Sequence, residues 1–372
     1  MMPASLSPKI ISVQRTLRYA LLLLLLSSLL GCGSFQYVVQ AASGQFEIWQ
    51  RQRSIESLLA RTDTPASLRA KLSVVERARA FAASRLALPD HGSYHSYADL
   101  GRDYVVWNVF AAPELSLAPL TSCYPLVGCL AYRGFFSAAS ARLHAATLQV
   151  RGYDTFVGGV AAYSTLGWLN DPLLNTVLRR DDVHLVDIIF HELSHQRLYI
   201  AGDTTFNESF AMAVARTGVA LWLADDAAAL ARYRDEQAHE AAFIALIRAT
   251  SQRLETVYAS PASAAQKRVS KAALFDQLRA RYLERKAQWG GDSAYDEWMN
   301  TDLNNAKLAS LAAYYDEVEH FVGLLARCQQ DFARFYVVVD ALAELEPAQR
   351  TQCLHELGGG ARPAQRCAVL LR

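Results

Sequence analysis

Several features that mark other classes of protein are scarce or missing in this sequence. The 372 residues include 37 basic and 36 acidic side chains, so the chain lacks the excess positive charge typical of nucleic-acid-binding proteins. Its six cysteines form no C-x-x-C pair, which excludes the common thiolate zinc and redox motifs. Beyond the N-terminal segment, no apolar run approaches the length of a membrane span. We therefore expect a globular protein with no nucleic-acid partner.

The pattern of apolar residues favours helices. Hydrophobic residues make up 52% of the chain, and many are alanine or leucine, which is typical of a mostly helical domain. Two stretches rich in β-branched and aromatic residues, Tyr104–Phe110 and Asp154–Thr165, predict strands. Gly158 and Gly159 would form a bulge or a hairpin turn, or would lie in a cleft strand that binds an extended peptide. The sequence therefore predicts an α+β fold, mostly helical, with a small sheet.

The stretch from Asp187 to Gln196 contains the motif H-E-x-x-H. Positions four apart lie on one face of a helix, so His191 and His195 can present ring nitrogens to a single ion. Glu192 follows the first of these ligands and can accept a proton from a metal-bound water. Zinc suits this set, because three protein ligands leave a fourth position open for water. The alternative is a helix whose two histidines make only ordinary hydrogen bonds.

A third ligand is expected from the segment that follows the motif. We expect the motif helix to end at Gly202 and a second helix to begin near Phe206. Because antiparallel helices lie about 8–10 Å apart, Glu208 can reach an ion held by His195. Asp203 is the alternative ligand, and Glu208 could instead be an ordinary acid in the first turn of its helix. The favoured zinc ligands are His191, His195 and Glu208.

The H-E-x-x-H spacing on a helix is typical of zinc-dependent peptidases, and peptide hydrolysis at such a site also needs a second donor that stabilises the tetrahedral oxyanion. Tyr163, in the second predicted strand, is the favoured catalytic candidate. Tyr314, Tyr315 and His320 are alternatives, and any of the four could serve only in packing or at the surface.

Residues 1–31 have the pattern of a secretory signal, with basic residues followed by a short leucine-rich core. The sequence Leu29-Leu30-Gly31-Cys32 resembles the lipobox of bacterial lipoproteins. Cys32 would then be acylated and would anchor the mature chain in the cell envelope, at the periplasmic face of the outer membrane. The alternative is an uncleaved anchor helix.

Two disulfides are expected, because an exported chain enters an oxidising compartment. Cys123 and Cys129 flank a proline and a glycine that can turn the chain back. Cys353 and Cys367 are the favoured second pair, which leaves Cys328 free.

Several motifs together resemble a family of predicted bacterial zinc aminopeptidases, many of which carry lipoprotein signals. The resemblance covers most of the mature chain and is densest from about residue 120 to 222. The motifs are Cys123–Cys129, Tyr132-Arg133-Gly134, Gly158–Trp168, His191–Gln196, Gly202-Asp203-Thr204 and Asn207–Ala211.

This resemblance implies a zincin-like metallopeptidase of the gluzincin type, with one Zn²⁺ ion and a peptide substrate. The predicted domain spans residues 32–372, with a helical hairpin over about 40–88. The small sheet and the zinc-site helices would occupy about 100–225, and a helical part about 226–350. The alternatives are an endopeptidase that acts on envelope proteins and a non-catalytic zinc-containing lipoprotein that binds envelope partners.

Overall fold

The computed structural model describes residues 32–124, 128–162, 164–165, 169–315, 317–360 and 362–371. The predicted signal peptide and Tyr163 lie outside these ranges. None of the helices within them combines the length and the apolar character that a membrane span needs.

The chain divides into two compact units, and the first ends at Gln50. Its described residues, 32–50, lie in helix α1 (Cys32–Arg51). Val39, Phe46 and Trp49 are exposed on α1, and the ring centroids of Phe46 and Trp49 lie 5.9 Å apart. Their spacing of seven and three places the three side chains on one face of the helix.

Helices dominate the second unit, and side-chain caps explain where many of them begin. An aspartate or serine oxygen accepts a hydrogen bond from the backbone amide three residues later, which satisfies a donor that the helix leaves unpaired. The capping residues of α4 to α8 are Ser137, Asp181, Asp203, Asp226 and Ser263. The helices in the first part of this unit are α2 (Ile55–Ala60), α3 (Ala66–Arg85), α4 (Ala138–Val150), α5 (Asp182–Arg197) and α6 (Thr204–Trp222). The later ones are α7 (Ala227–Ala259), α8 (Ala264–Gln288), α9 (Asp296–Asn300), α10 (Asn305–Tyr315), α11 (Val318–Arg327), α12 (Phe332–Ala343), α13 (Pro347–Gly358) and α14 (Gln365–Ala368).

The strands of the second unit form small sheets. The first sheet has the order β1-β2-β8, the second has the order β6-β3-β7, and β4 pairs with β5. In the second sheet both neighbours of β3 are antiparallel to it, with Asn108 opposite Gly134 on one side and Gly158 on the other. The strands are β1 (Gln52–Ser54), β2 (Ser96–Ala98), β3 (Val106–Pro113), β4 (Ser122–Tyr124), β5 (Gly128–Leu130), β6 (Tyr132–Phe135), β7 (Tyr153–Val160) and β8 (Leu173–Leu174).

Two large hydrophobic cores stabilise the described part of the second unit, and Phe110, Ala112 and Ala306 form a separate small cluster. The larger core lies around α3, α5, α6 and the helices α11 to α13. In it the ring of Phe210 stacks on Phe335 with centroids 6.0 Å apart. The smaller core lies around α7, α8 and α9, where Phe243 stacks on Tyr295 at 4.1 Å. Helix α10 contacts both the second sheet and α6.

The α+β class, mostly helical with small sheets, is confirmed. Both predicted disulfides are present, Cys123–Cys129 and Cys353–Cys367, and Cys328 is a buried free thiol. The zincin-like arrangement of sheet and metal helix stays a prediction.

The structure corrects the prediction of a bulge or turn at Gly158-Gly159. Both residues lie inside β7, paired with Asn108 and Trp107. Glycine is needed for space at position 159, since a β-carbon there would lie 2.5 Å from ring atoms of Tyr104. The predicted end of the motif helix is also wrong. Helix α5 ends at Arg197, and Gly202 lies in the following loop with φ +83°.

Candidate metal centre

Helix α5 presents the motif because its two faces differ in character. Asp181 caps it, and its carboxylate accepts a hydrogen bond of 2.9 Å from the amide of His184. The inner face packs into the larger core through Leu185, Val186, Ile189, Phe190 and Leu193, each at most 2% exposed. This burial fixes the rotation of the helix about its axis, and the face with His191 and His195 is thereby turned to α6.

Helix α6 brings the third side chain to the same place. Asp203 caps it by accepting a hydrogen bond of 3.2 Å from the amide of Phe206. Asn207, 1% exposed, holds the preceding loop, since its amide group bonds both the N–H and the carbonyl of Ile200 at 2.8 and 2.7 Å. The turn and the helix that carry Glu208 are therefore fixed relative to the end of α5.

The ligand atoms of His191, His195 and Glu208 converge. The two Nε2 atoms lie 3.1 Å apart, and Oε2 of Glu208 lies 3.3 Å from that of His191 and 3.7 Å from that of His195. A tetrahedral ion with ligands about 2.0–2.1 Å away holds its ligand atoms about 3.3 Å from one another. The observed separations bracket this value, so the group could hold a metal ion. It is the only group of this kind among the residues that the structure describes.

The charges in the group favour a cation. Burial alone would lower the pKa of the His191 imidazole, but the hydrogen bond and negative charge of Glu208 raise it to about 9. Burial also opposes ionisation of Glu208, yet hydrogen bonds from His191 and His195 hold the pKa of that carboxyl well below its usual range. Glu208 is therefore a carboxylate at neutral pH, and it attracts positive charge to the point where the imidazoles meet.

Glu192 follows His191 directly in the chain, and its carboxyl is buried. Burial raises the pKa of its carboxyl, the imidazoles of His191 and His195 oppose this shift, and the charges of Glu208 and Asp171 add to it. A carboxylate whose pKa is raised toward neutrality is a better proton acceptor than an ordinary surface acid. This arrangement suits a general base.

The structure describes only some of the other candidates from the sequence. Tyr163 lies outside the described residues, as do the side chains of Tyr314 and Tyr315. His320 lies on α11 and stacks on His355 of α13, with ring centroids 4.0 Å apart. Asp203, the alternative ligand, is engaged as the cap of α6 and in an ion pair with Arg350.

Three further residues beside the site were missed from the sequence. Tyr199 lies four positions after His195, and their ring centroids are 6.4 Å apart. Asp171 is 2% exposed and binds the amide of Thr165 at 2.8 Å. Tyr94 has φ +62° and donates its amide to the carbonyl of Asp171 at 2.7 Å. Burial raises the pKa of Tyr94, and the charges of Glu192 and Asp171 add to that shift.

Only one of these three had a signal in the sequence. Tyr199 continues the spacing of four set by His191 and His195, although it lies two residues beyond the end of α5 at Arg197. Tyr94 and Asp171 are joined by a backbone hydrogen bond between segments far apart in the chain, and no local pattern reports such a contact.

The comparison with protein families agrees with this geometry. Residues 36–354 match the family described as "Putative aminopeptidase". The chain belongs to this family. The match spans α5, α6 and the whole group of converging ligands, and membership indicates a peptide hydrolase. No curated protein and no solved structure matches the chain.

Proposed function

We propose that this protein is a zinc-dependent aminopeptidase, with His191, His195 and Glu208 as metal ligands and Glu192 as general base. The observation that carries the proposal is the convergence of the three ligand atoms, 3.1 to 3.7 Å apart, directly beside Glu192. Structural zinc is usually closed by four protein ligands, whereas three ligands leave room for solvent and substrate. Family membership supports the peptide as substrate.

A zinc ion held at this group would lower the pKa of a bound water and polarise the scissile carbonyl. Glu192 accepts the proton of the attacking water on its carboxylate and delivers it to the leaving amine. Burial raises the pKa of the Glu192 carboxyl, and the charge of Asp171 adds to this shift. Tyr163 stays our favoured second donor for the oxyanion. It precedes Ser164 and Thr165 in the chain, and the hydroxyl groups of these two residues donate hydrogen bonds to Asp171.

The central test compares the purified wild-type protein with Glu192→Gln. We expect one zinc ion in each protein, and a loss of peptide cleavage of about 10²- to 10⁴-fold in the variant, the usual contribution of a positioned base. Glu236→Gln, on the exposed part of α7, is the matched control and should keep full activity. Equal cleavage by wild type and Glu192→Gln would remove Glu192 from the mechanism. Zinc binding without cleavage by the wild type would favour the non-catalytic alternative.

The choice between aminopeptidase and endopeptidase depends on the substrate's N-terminus. One model peptide would be offered with a free amine and with an acetylated amine. An aminopeptidase cleaves only the first, because the charged amine is part of what it recognises. Undiminished cleavage of the acetylated peptide would contradict the aminopeptidase assignment and support an endopeptidase.

We also propose that Cys32 carries the lipid anchor and that the protein resides at the periplasmic face of the outer membrane. Support comes from the sequence before Cys32 and from the exposed apolar face of α1 that follows it. After expression in a bacterial host, the wild-type protein should sediment with membranes, and Cys32→Ser should not carry a lipid. An unchanged mass at Cys32 in the wild type would contradict the anchor.

A further inference from the structure

The turn that leads to Glu208 is held from outside the metal site as well as from within it. On α6 itself, the residues on either side of Glu208 both make hydrogen bonds through their side chains. Asn207 binds the backbone of Ile200, and the Oγ atom of Ser209 accepts a hydrogen bond of 3.2 Å from the amide of Glu317. Both side chains are at most 1% exposed. The position of Glu208 along and around α6 is therefore fixed.

A buried arginine fixes the first residue of this turn. Arg350, on α13, is 5% exposed, and its guanidinium donates to the carboxylate of Asp203, the cap of α6. The same guanidinium donates to the carbonyls of Ala343 and Leu345 at 3.3 and 2.9 Å. It also lies over the ring of Phe206, with its carbon 5.4 Å from the ring centroid. Arg350 thus joins the end of α12 to the start of α6.

A disulfide closes the segment that supplies this arginine. Cys353 lies three residues after Arg350 on α13 and is bonded to Cys367 in α14. Both cysteines are at most 1% exposed and belong to the larger core. The C-terminal segment is therefore part of the framework around the metal site, and it is not a peripheral tail.

We propose that Arg350 is a positioning residue for the metal centre, acting through Asp203 on the turn that carries Glu208. The inference rests on the proposed metal site. Without the guanidinium, the Asp203 carboxylate would keep only its bond to the amide of Phe206, and the first turn of α6 would lose its link to α12. Holding Glu208 opposite the two histidines would then cost conformational entropy at the moment of metal binding.

The experiment measures the Kd for zinc by competition with a chromophoric chelator, in wild type, Arg350→Met and Arg350→Lys. Loss of a supporting residue outside the ligands typically weakens metal binding 10- to 100-fold. Because Arg350 acts through Asp203, we expect the Kd for zinc to rise about tenfold in Arg350→Met. Lysine restores a positive charge but not the planar fork that reaches three acceptors, so Arg350→Lys should recover only part of the loss. Arg366→Met, which removes an arginine half exposed on the same segment, is the control and should bind zinc like the wild type.

A merely structural role would give a different result. In that case the melting temperatures of the variants would fall while the Kd for zinc stayed constant, and the proposal would be overturned. The cycle of Asp203→Asn, Arg350→Met and the double variant gives an independent measure of the link. We expect the losses of zinc affinity to be less than additive, because both changes break the same contact. Additive losses would contradict the path through Asp203.

The outcomes also separate this inference from the proposed function. A wild-type protein that binds no zinc would contradict both the proposed function and this inference. A wild type that binds zinc with an unchanged Kd in Arg350→Met would remove the inference alone. If Arg350→Met does not fold, Arg350→Lys and Asp203→Asn carry the same comparison.

Discussion

The Nε2 atom of His191 lies 3.3 Å from Oε2 of Glu208, so α5 and α6 are joined by an ion pair. Burial alone would lower the pKa of His191, but this pair and the charges of Glu192 and Asp187 raise it from 6.5 to about 9. A base whose pKa is raised on folding stabilises the fold fully below its unfolded pKa, and this contribution is lost as the pH rises through the folded value. We therefore expect the melting temperature of the protein treated with a chelator to fall from about pH 6.5 to 9. In His191→Gln this fall should be much smaller, and an equal fall in both proteins would contradict the assignment.

Zinc affinity should have the opposite dependence on pH. A metal ion binds imidazole only after the proton has left, so binding releases the proton from His191. The Kd for zinc should then decrease about tenfold for each pH unit up to about pH 9, above which His191 is mostly neutral and the dependence ends. Titration with a pH-insensitive competitor measures this slope. A Kd that is independent of pH between 6.5 and 8 would show that His191 is not a ligand.

Removal of the third ligand should abolish tight metal binding. Glu208→Gln keeps the size of the side chain but removes the negative charge that faces the two imidazoles. Since the loss of an outer-shell partner alone costs 10- to 100-fold, we expect the Kd for zinc to rise by more than about 100-fold. Glu236→Gln removes the same charge from an exposed position and should leave the Kd unchanged. A wild-type Kd in Glu208→Gln would return Glu208 to the role of an ordinary first-turn acid.

A close crossing between α11 and α13 gives a prediction about stability. The carbonyl of His320 occupies the space that a β-carbon on Gly358 would need. Gly358→Ala should force the two helices apart and lower the free energy of unfolding by about 1–3 kcal/mol. Gly360→Ala, two residues later, meets nothing within 4 Å and is the matched control. Thermal or urea unfolding of the two variants measures the difference, and equal stability would show that α13 can move without cost.

The parts of the site that follow local periodicity could be predicted from the sequence. His191 and His195 are four residues apart on one helix, and Glu208 follows after a single reversal of the chain, so their convergence needed only helix geometry. The connection itself could not be predicted in detail. Glycine at position 202 suggested a helix end, whereas α5 ends five residues earlier, because Asn207 binds the backbone of Ile200 in a non-helical loop.

Contacts between distant segments account for the rest of what was missed. Tyr94 meets Asp171 through backbone atoms that are 77 positions apart, and Arg350 meets Asp203 across 147 positions. Gly158 and Gly159 have the composition of a turn, but the ring of Tyr104 requires a bare backbone at Gly159 within a strand. Such positions depend on tertiary packing, and a single sequence carries no local sign of it.

The separate core of the α7–α8 pair has a practical consequence for measuring this enzyme. The 33 residues of α7 extend for about 50 Å, and the turn at Ser260–Ser263 joins α7 to α8 at the far end of that length. Trp289 and Trp298 pack against this second core, which is built mainly from α7, α8 and α9. A fluorophore or an affinity tag inserted at that turn would therefore leave the chemistry untouched while allowing the protein to be tracked or tethered to a surface.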